Sequence, residues 1–201
     1  MTRVIGLSGL AGAGKDFFFE ELHRQDKRFK RFALADELKK ELRPHILSLY
    51  YEDILKCSRV KKNQLRPILV EHGKIRRADS EGKHWTNIVS EQISDFLYLN
   101  PNGIACVTDI RYDYYDKDEV FWLKEQMGGT LVHIRKYTEF LGIKEFDTPP
   151  NADEAENDPK IRAKADFLVE WPQIIQPDGS NLPILQTYAK SFRQFLHNQN
   201  R

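Results

Sequence analysis

The sequence is short of charge imbalance, of cysteine and of long apolar runs. Lys and Arg number 31 against 30 Asp and Glu, which leaves a net charge of +1. A dedicated nucleic-acid binder carries a strong basic excess, so any positive work here is local and no nucleic-acid partner is expected. Two cysteines, Cys57 and Cys106, cannot build a secreted disulfide framework. Cys106 lies in an apolar run and reads as a buried, reduced thiol, which fits a cytoplasmic setting. No stretch approaches the length of a membrane span. The apolar run VIGLSGLAGAG near the start is short and glycine-broken, unlike a signal peptide. The six histidines are scattered with no metal-ligand spacing, which argues against zinc. Neither a serine elbow nor a Cys-His arrangement supports hydrolysis. There is no internal repeat and no low-complexity segment.

What remains is globular in composition, with 40% hydrophobic and 11% aromatic residues in 201. The expectation is a single domain over 1–201. Short apolar runs at 3–8, 30–34, 103–109, 130–135 and 166–171 read as strands. Helical spacing appears at 15–24, 35–49, 85–97, 118–127 and 183–197. Strands that alternate with helices, and that lack polar alternation, predict a parallel sheet covered on both faces: a three-layer α/β domain. Ligands in such sheets bind at the carboxyl ends of the strands. Residues 50–84 are mixed and charged, and 136–163 have no good periodicity. They read as excursions from the core, the first an acceptor-binding arm or a solvated face, the second a lid or a plain surface loop.

Residues 9–16, GLAGAGKD, follow the first strand and open a helix. That is the context of a phosphate-binding loop, G-x-x-x-x-G-K-[S/T]. Gly9, Gly12 and Gly14 let successive backbone N–H groups, those of Ala11 and Ala13 among them, turn inward on a phosphate. The helix beyond Lys15 adds its positive end, and Lys15 can reach the β- and γ-phosphates. The last position is unusual, because Asp16 stands where a hydroxyl would meet Mg²⁺. Either Asp16 binds the metal, directly or through water, or it is an ordinary first-turn helix acid.

Three further groups bear on chemistry. In VTDIR, Asp109 falls just past the strand over 103–108, at the edge of the glycine loop, where a carboxylate can hold Mg²⁺ and Arg111 can clamp a phosphate. Residues 59–83 hold eight Lys or Arg against three acids, a local excess suited to an anionic acceptor. Arg66, Arg76 and Arg77 are the better candidates there because guanidinium binds phosphate bidentately. Trp85 either stacks a ring of the acceptor or packs in the core. Residues 145–158 carry six acids and no Lys or Arg, flanked by cations that include Arg135, and read as a flap or an acidic surface loop.

Taken together these residues resemble the phage-type deoxynucleoside monophosphate kinases, relatives of the animal phosphomevalonate kinases. The likeness runs through G-x-x-x-x-G-K-D, FALADELKKEL at 32–42, LRPILVEHGKIRRAD followed by HW at 65–85, VTDIRYDYYDKDEVFWLKEQMGGTLVHIRK, and DEAEND followed by ADFLVEW. It implies a nucleoside monophosphate kinase-like fold and ATP with Mg²⁺. The reaction implied is transfer of the γ-phosphate to a deoxynucleoside monophosphate. On this resemblance Gly9, Ala11, Gly12, Ala13, Gly14, Lys15 and Asp16 hold ATP, and Asp16 and Asp109 place the metal. Lys15, Asp109, Arg111 and Arg135 are catalytic. Asp36, Lys39, Arg66, Arg76, Arg77, Trp85 and Arg111 bind the acceptor. A phosphomevalonate-type acceptor and a non-catalytic nucleotide-binding regulator are the alternatives. Family members often pair, so the resemblance allows a homodimer without fixing it, and it implies a cytoplasmic setting, that of the host if the source is a virus. Two features depart from the family: Glu170-Trp171 at the end of the last strand, and an expanded turn at 112–118.

Overall fold

The structure is a computed structural model that describes residues 3–173 and 182–198. The single-domain expectation over 1–201 also takes in 1–2, 174–181 and 199–201, which lie outside the described residues. The chain alternates β1 (Val4–Ser8), α1 (Lys15–Gln25), β2 (Phe29–Phe32), α2 (Leu34–Tyr50), α3 (Arg59–Ser80), α4 (Lys83–Leu99) and β3 (Ile104–Ile110). After β3 come a short α5 (Glu119–Phe121) running into a π-helical turn (Trp122–Gln126), then β4 (Thr130–Phe140) and β5 (Ile143–Phe146). The chain continues through α6 (Ala152–Ala163), β6 (Phe167–Pro172) and α7 (Leu182–Asn198).

The sheet order is β2-β3-β1-β4, with β6 on the other side of β4, and these five strands are parallel. β1 and β3 are buried at every residue, as uninterrupted apolar runs in a doubly covered sheet demand. One face carries α1 and α7, whose Phe18, Leu22, Phe192 and Leu196 pack on Ile5, Leu7 and Ile134. The other carries α4, the π-helical turn and α6, with Val89, Ile93, Trp122, Leu123 and Ile161 against Val107 and Leu131. The expected three-layer α/β arrangement is the one observed. Cys106 is fully buried in β3, and burial pushes its thiol far above the usual range. A thiol reagent is therefore expected to modify Cys57, which is half-buried, in the native protein and Cys106 only after unfolding. Equal labelling of both in the native state would contradict that placement.

Two segments without sequence periodicity prove to be ordered. Residues 59–80 form a 22-residue helix, capped by the Ser58 hydroxyl accepting from the Lys61 amide. The helix escapes a periodicity reading because most of its residues are polar and exposed, and only Leu65, Gly73 and Arg77 are buried. With α2 it encloses a small core of its own, Leu42, Ile46, Ile54 and Leu65. In the second segment β4 outruns its parallel partners, and residues 137–140 pair antiparallel with β5. α6 follows, capped by Asn151 accepting from the Glu154 amide. The expected lid is therefore a hairpin and a helix.

Candidate active site

The site is assembled where β1, β2 and β3 end. β1 delivers the glycine loop, and α1 begins at Lys15 with Gly14 as its N-cap. Gly14 has φ +94° and offers no side-chain cap, so the first amides of α1 have no side-chain acceptor there. Two glycines are obligatory for different contacts. A Cβ on Gly9, at φ +126°, would lie 2.1 Å from the Ile134 carbonyl oxygen of β4. A Cβ on Gly14 would lie 2.1 Å from the Trp171 ring of β6. The Trp171 indole donates to the Ala13 carbonyl at 2.9 Å, which explains the departure at the end of the last strand: the ring clamps the loop from below.

Lys15 is 7% exposed and folds back on the loop, donating to the carbonyls of Gly9 at 2.7 Å and Leu10 at 2.9 Å. Burial first, and Arg111 second, bring its amine down to about 8. The Ala11 amide donates to the Glu154 carboxylate of α6 at 2.7 Å, and the Lys136 ammonium approaches the Gly12 carbonyl at 3.4 Å.

Asp109 is the penultimate residue of β3, one step inside the strand end expected for it. Both of its carboxylate oxygens accept backbone amides at the start of α2, from Leu34 and Ala35, each at 2.8 Å. The carboxylate thus caps a helix from another element. Asp16 is 73% exposed at its side chain and lies 3.5 Å from the Arg31 guanidinium. Beside them the Thr108 hydroxyl is buried and has no hydrogen-bond partner. Asp16, Thr108 and Asp109 line the same cleft. Hard oxygen donors of this kind, one or two carboxylates with a hydroxyl, suit Mg²⁺, which keeps most of its waters. There is no cluster of three or more His, Cys, Asp or Glu able to hold a metal among the described residues.

The cleft measures about 380 Å³ and is bounded by the loop, by Asp16 and Phe17 of α1, by Arg31, Asp36 and Lys39, and by Arg66 and Arg111. Asp36 binds Arg31 at 2.6 Å and Lys39 at 2.7 Å. Arg66 makes no ion pair among the described residues. Wider depressions exist, among them one of about 810 Å³ at the opposite end of the sheet, lined by His23 and residues 100–103, but that one holds none of the loop.

Of the basic candidates in α3 and just beyond it, the structure brings only Arg66 into the cleft. Arg76 is taken by Glu41, which also accepts from His72 and His84. Arg77 is buried against Asp118 at 2.6 Å and Glu119 at 3.0 Å. Trp85 is 4% exposed in the core, so of its two readings packing is the one observed. Arg135 lies outside the cleft, at the root of the hairpin, paired with Glu170 at 3.2 Å and stacked 3.5 Å over the Phe146 ring. Arg31 was missed from the sequence, although its place near the carboxyl end of a parallel strand was a usable signal. Glu154 was missed as well, within an acidic run that showed no reason to prefer it.

Glu119 explains how Arg111 is held. It is fully buried, and one carboxylate oxygen accepts the amides of Arg111 at 2.6 Å and Tyr112 at 3.0 Å. Burial pushes its carboxyl up to about 8, with the Arg77 charge opposing. The expanded turn over 112–118 is pinned at its end by Asp118, which accepts from the Tyr114 and Tyr115 amides.

No helix among the described residues is long and apolar enough to cross a membrane. No family model matches the chain, and no curated protein matches it. Among solved structures the chain is similar to a dephospho-CoA kinase from Campylobacter jejuni, at 16% identity and a TM-score of 0.46, over 96% of this chain and 97% of that one. It is similar, too, to a shikimate kinase from Acinetobacter baumannii, solved in complex with shikimate, at 13% identity and a TM-score of 0.45, over 99% of this chain and 95% of that one.

Proposed function

We propose that the protein is an ATP-dependent kinase that phosphorylates a small phosphorylated acceptor, a deoxynucleoside monophosphate. The observation that carries this reading is an uncapped helix start behind a glycine loop, facing a cleft that holds Arg31, Lys39, Arg66 and Arg111. A donor phosphate chain needs the first feature and an anionic acceptor needs the second.

In this mechanism the loop amides and the start of α1 hold the donor phosphates. Lys15 leaves the carbonyls of Gly9 and Leu10 to neutralise charge on the γ-phosphate. Asp16, Thr108 and Asp109 are the residues that would hold Mg²⁺, Asp109 through water because its oxygens already accept two amides. The metal when bound neutralises charge on the phosphates. Arg111, fixed by Glu119, and Arg66 orient the acceptor phosphate. One of its oxygens forms the new P–O bond while the bond from the γ-phosphorus to the β-bridging oxygen breaks and ADP leaves. That oxygen is already anionic at neutral pH, so no general base is required. The β4–β5 hairpin and α6 exclude water, the competing acceptor.

Arg66→Ala is expected to raise the KM for the acceptor by at least tenfold, with the KM for ATP little changed. An equal rise in both would remove Arg66 from the acceptor side. The function itself is tested by ADP release from ATP and Mg²⁺ with dAMP, dGMP, dCMP, dTMP, modified pyrimidine monophosphates and phosphomevalonate. Turnover with a deoxynucleotide supports the proposal. Turnover with phosphomevalonate alone supports a base-free acceptor. One observation favours that second reading: Trp85 is in the core, and among the described residues Phe17 is the single aromatic lining the cleft. ATP binding without turnover on any acceptor would favour a regulatory protein.

A further inference from the structure

The phosphate loop already has an anion against it, and the chain itself supplies it. Glu154 is in the first turn of α6. One carboxylate oxygen accepts the Ala11 amide at 2.7 Å, in the middle of the loop, and the other lies 3.9 Å from the Arg111 guanidinium. Its charge also reaches the Lys15 amine. Three groups suited to phosphate therefore converge on one carboxylate.

The carboxylate is not there by chance of an exposed rotamer. The Glu154 amide donates to the Asn151 side chain at 2.9 Å, and the Asn151 amide group returns a contact to Glu154 at 3.4 Å, a reciprocal cap that fixes the side chain. α6 is seated as a unit: Asn157 accepts the Asp113 amide at 2.9 Å, and Ile161 is 2% exposed in the core. Asp153 of the same helix approaches Lys74 of α3 at 3.7 Å.

A polyphosphate and a carboxylate cannot share the Ala11 amide, because the acceptor position is single and the charges repel. We infer that Glu154 is an internal occupant of the donor-phosphate site: α6 holds its carboxylate on the loop until a polyphosphate displaces it. The inference rests on reading residues 9–16 as a phosphate-binding loop. The docked helix scales the apparent affinity for nucleotide down by the fraction of molecules in which the site is open. It shields the cations of Lys15 and Arg111 from one another in the meantime. Entry of ATP thereby becomes coupled to movement of the lid.

The test is calorimetric titration with inorganic tripolyphosphate, and with ATP, in the absence of magnesium so that no metal–carboxylate contact contributes. Glu154→Gln keeps the shape and removes the charge. It is expected to bind both ligands roughly tenfold or more tightly than the unaltered protein. Glu156→Gln, on the same helix in an exposed pair with Lys160, is expected to change nothing. Unchanged or weaker binding by Glu154→Gln, with the unaltered protein binding normally, overturns the inference alone. Failure of both proteins to bind either ligand overturns the phosphate-loop reading and the inference with it. Should Glu154→Gln not fold, amide exchange in the unaltered protein decides. Faster exchange over 152–163 on adding tripolyphosphate supports displacement, and unchanged or slower exchange refutes it.

Discussion

Lys15→Ala is expected to lower phosphoryl transfer by on the order of 10³-fold or more, while the protein stays folded. The size follows from where the charge acts. Developing negative charge on a transferred phosphoryl group is stabilised by fixed cations in a site from which water is excluded. Lys15 is buried and already oriented by the carbonyls of Gly9 and Leu10. Its amine, held down to about 8 by burial and by Arg111, regains its full charge preference when negative phosphates arrive. Single-turnover ADP formation measures the loss, and denaturant unfolding checks the fold. A variant with near-normal transfer would falsify the assignment of the loop.

Arg77→Ala is expected to destabilise the protein by roughly 3–5 kcal/mol. The guanidinium is buried between Asp118 and Glu119 and stacked 3.8 Å over the Tyr112 ring. Truncation leaves two buried carboxylates facing each other with no cation. The cost depends on pH in a definite direction. Glu119 titrates at about 8 in the folded protein, above the ordinary carboxylate value, so it favours folding at low pH and loses that contribution as pH rises through 8. Removing Arg77 raises the folded value further. The two proteins lose the Glu119 contribution alike up to about pH 8 and part above it, so the penalty should be larger at pH 9 than at pH 7, as read by urea unfolding at the two values. A penalty equal at both values would mean that Arg77 does not govern the ionisation of Glu119. Because Glu119 also holds the Arg111 amide, the variant should lose activity even under conditions where it remains folded.

Arg77 shows why part of the site was hidden in the sequence. Arg66, Arg76 and Arg77 are chemically equivalent as text. On a helix, Arg66 and Arg77 are eleven positions apart, close to three full turns, so they share one side of α3. Yet one reaches a cleft and the other reaches Asp118 and Glu119, which arrive from a turn beyond β3. Nothing local to α3 separates them. Trp85 is a similar case, since a large aromatic beside a basic helix fits both a ring platform and a core, and α4 turns it inward.

The strands and most of the helices were legible because burial on both faces of a parallel sheet demands apolar runs, and such runs are visible one residue at a time. The glycine loop was legible for the same kind of reason: Gly9 and Gly14 carry backbone angles and close approaches that other residues cannot supply. These are properties of single positions and their neighbours, so the sequence by itself determined the layered α/β core and the glycine loop that runs into Lys15. What touches the loop was decided only by tertiary structure. Asp109 caps α2, Glu119 holds Arg111, Trp171 clamps Ala13, and Glu154 fills the Ala11 amide, across separations of 75, 8, 158 and 143 residues. Apart from the short Glu119 link, contacts at such range are set by how whole elements pack, and a buried charge takes whichever partner that packing brings within reach.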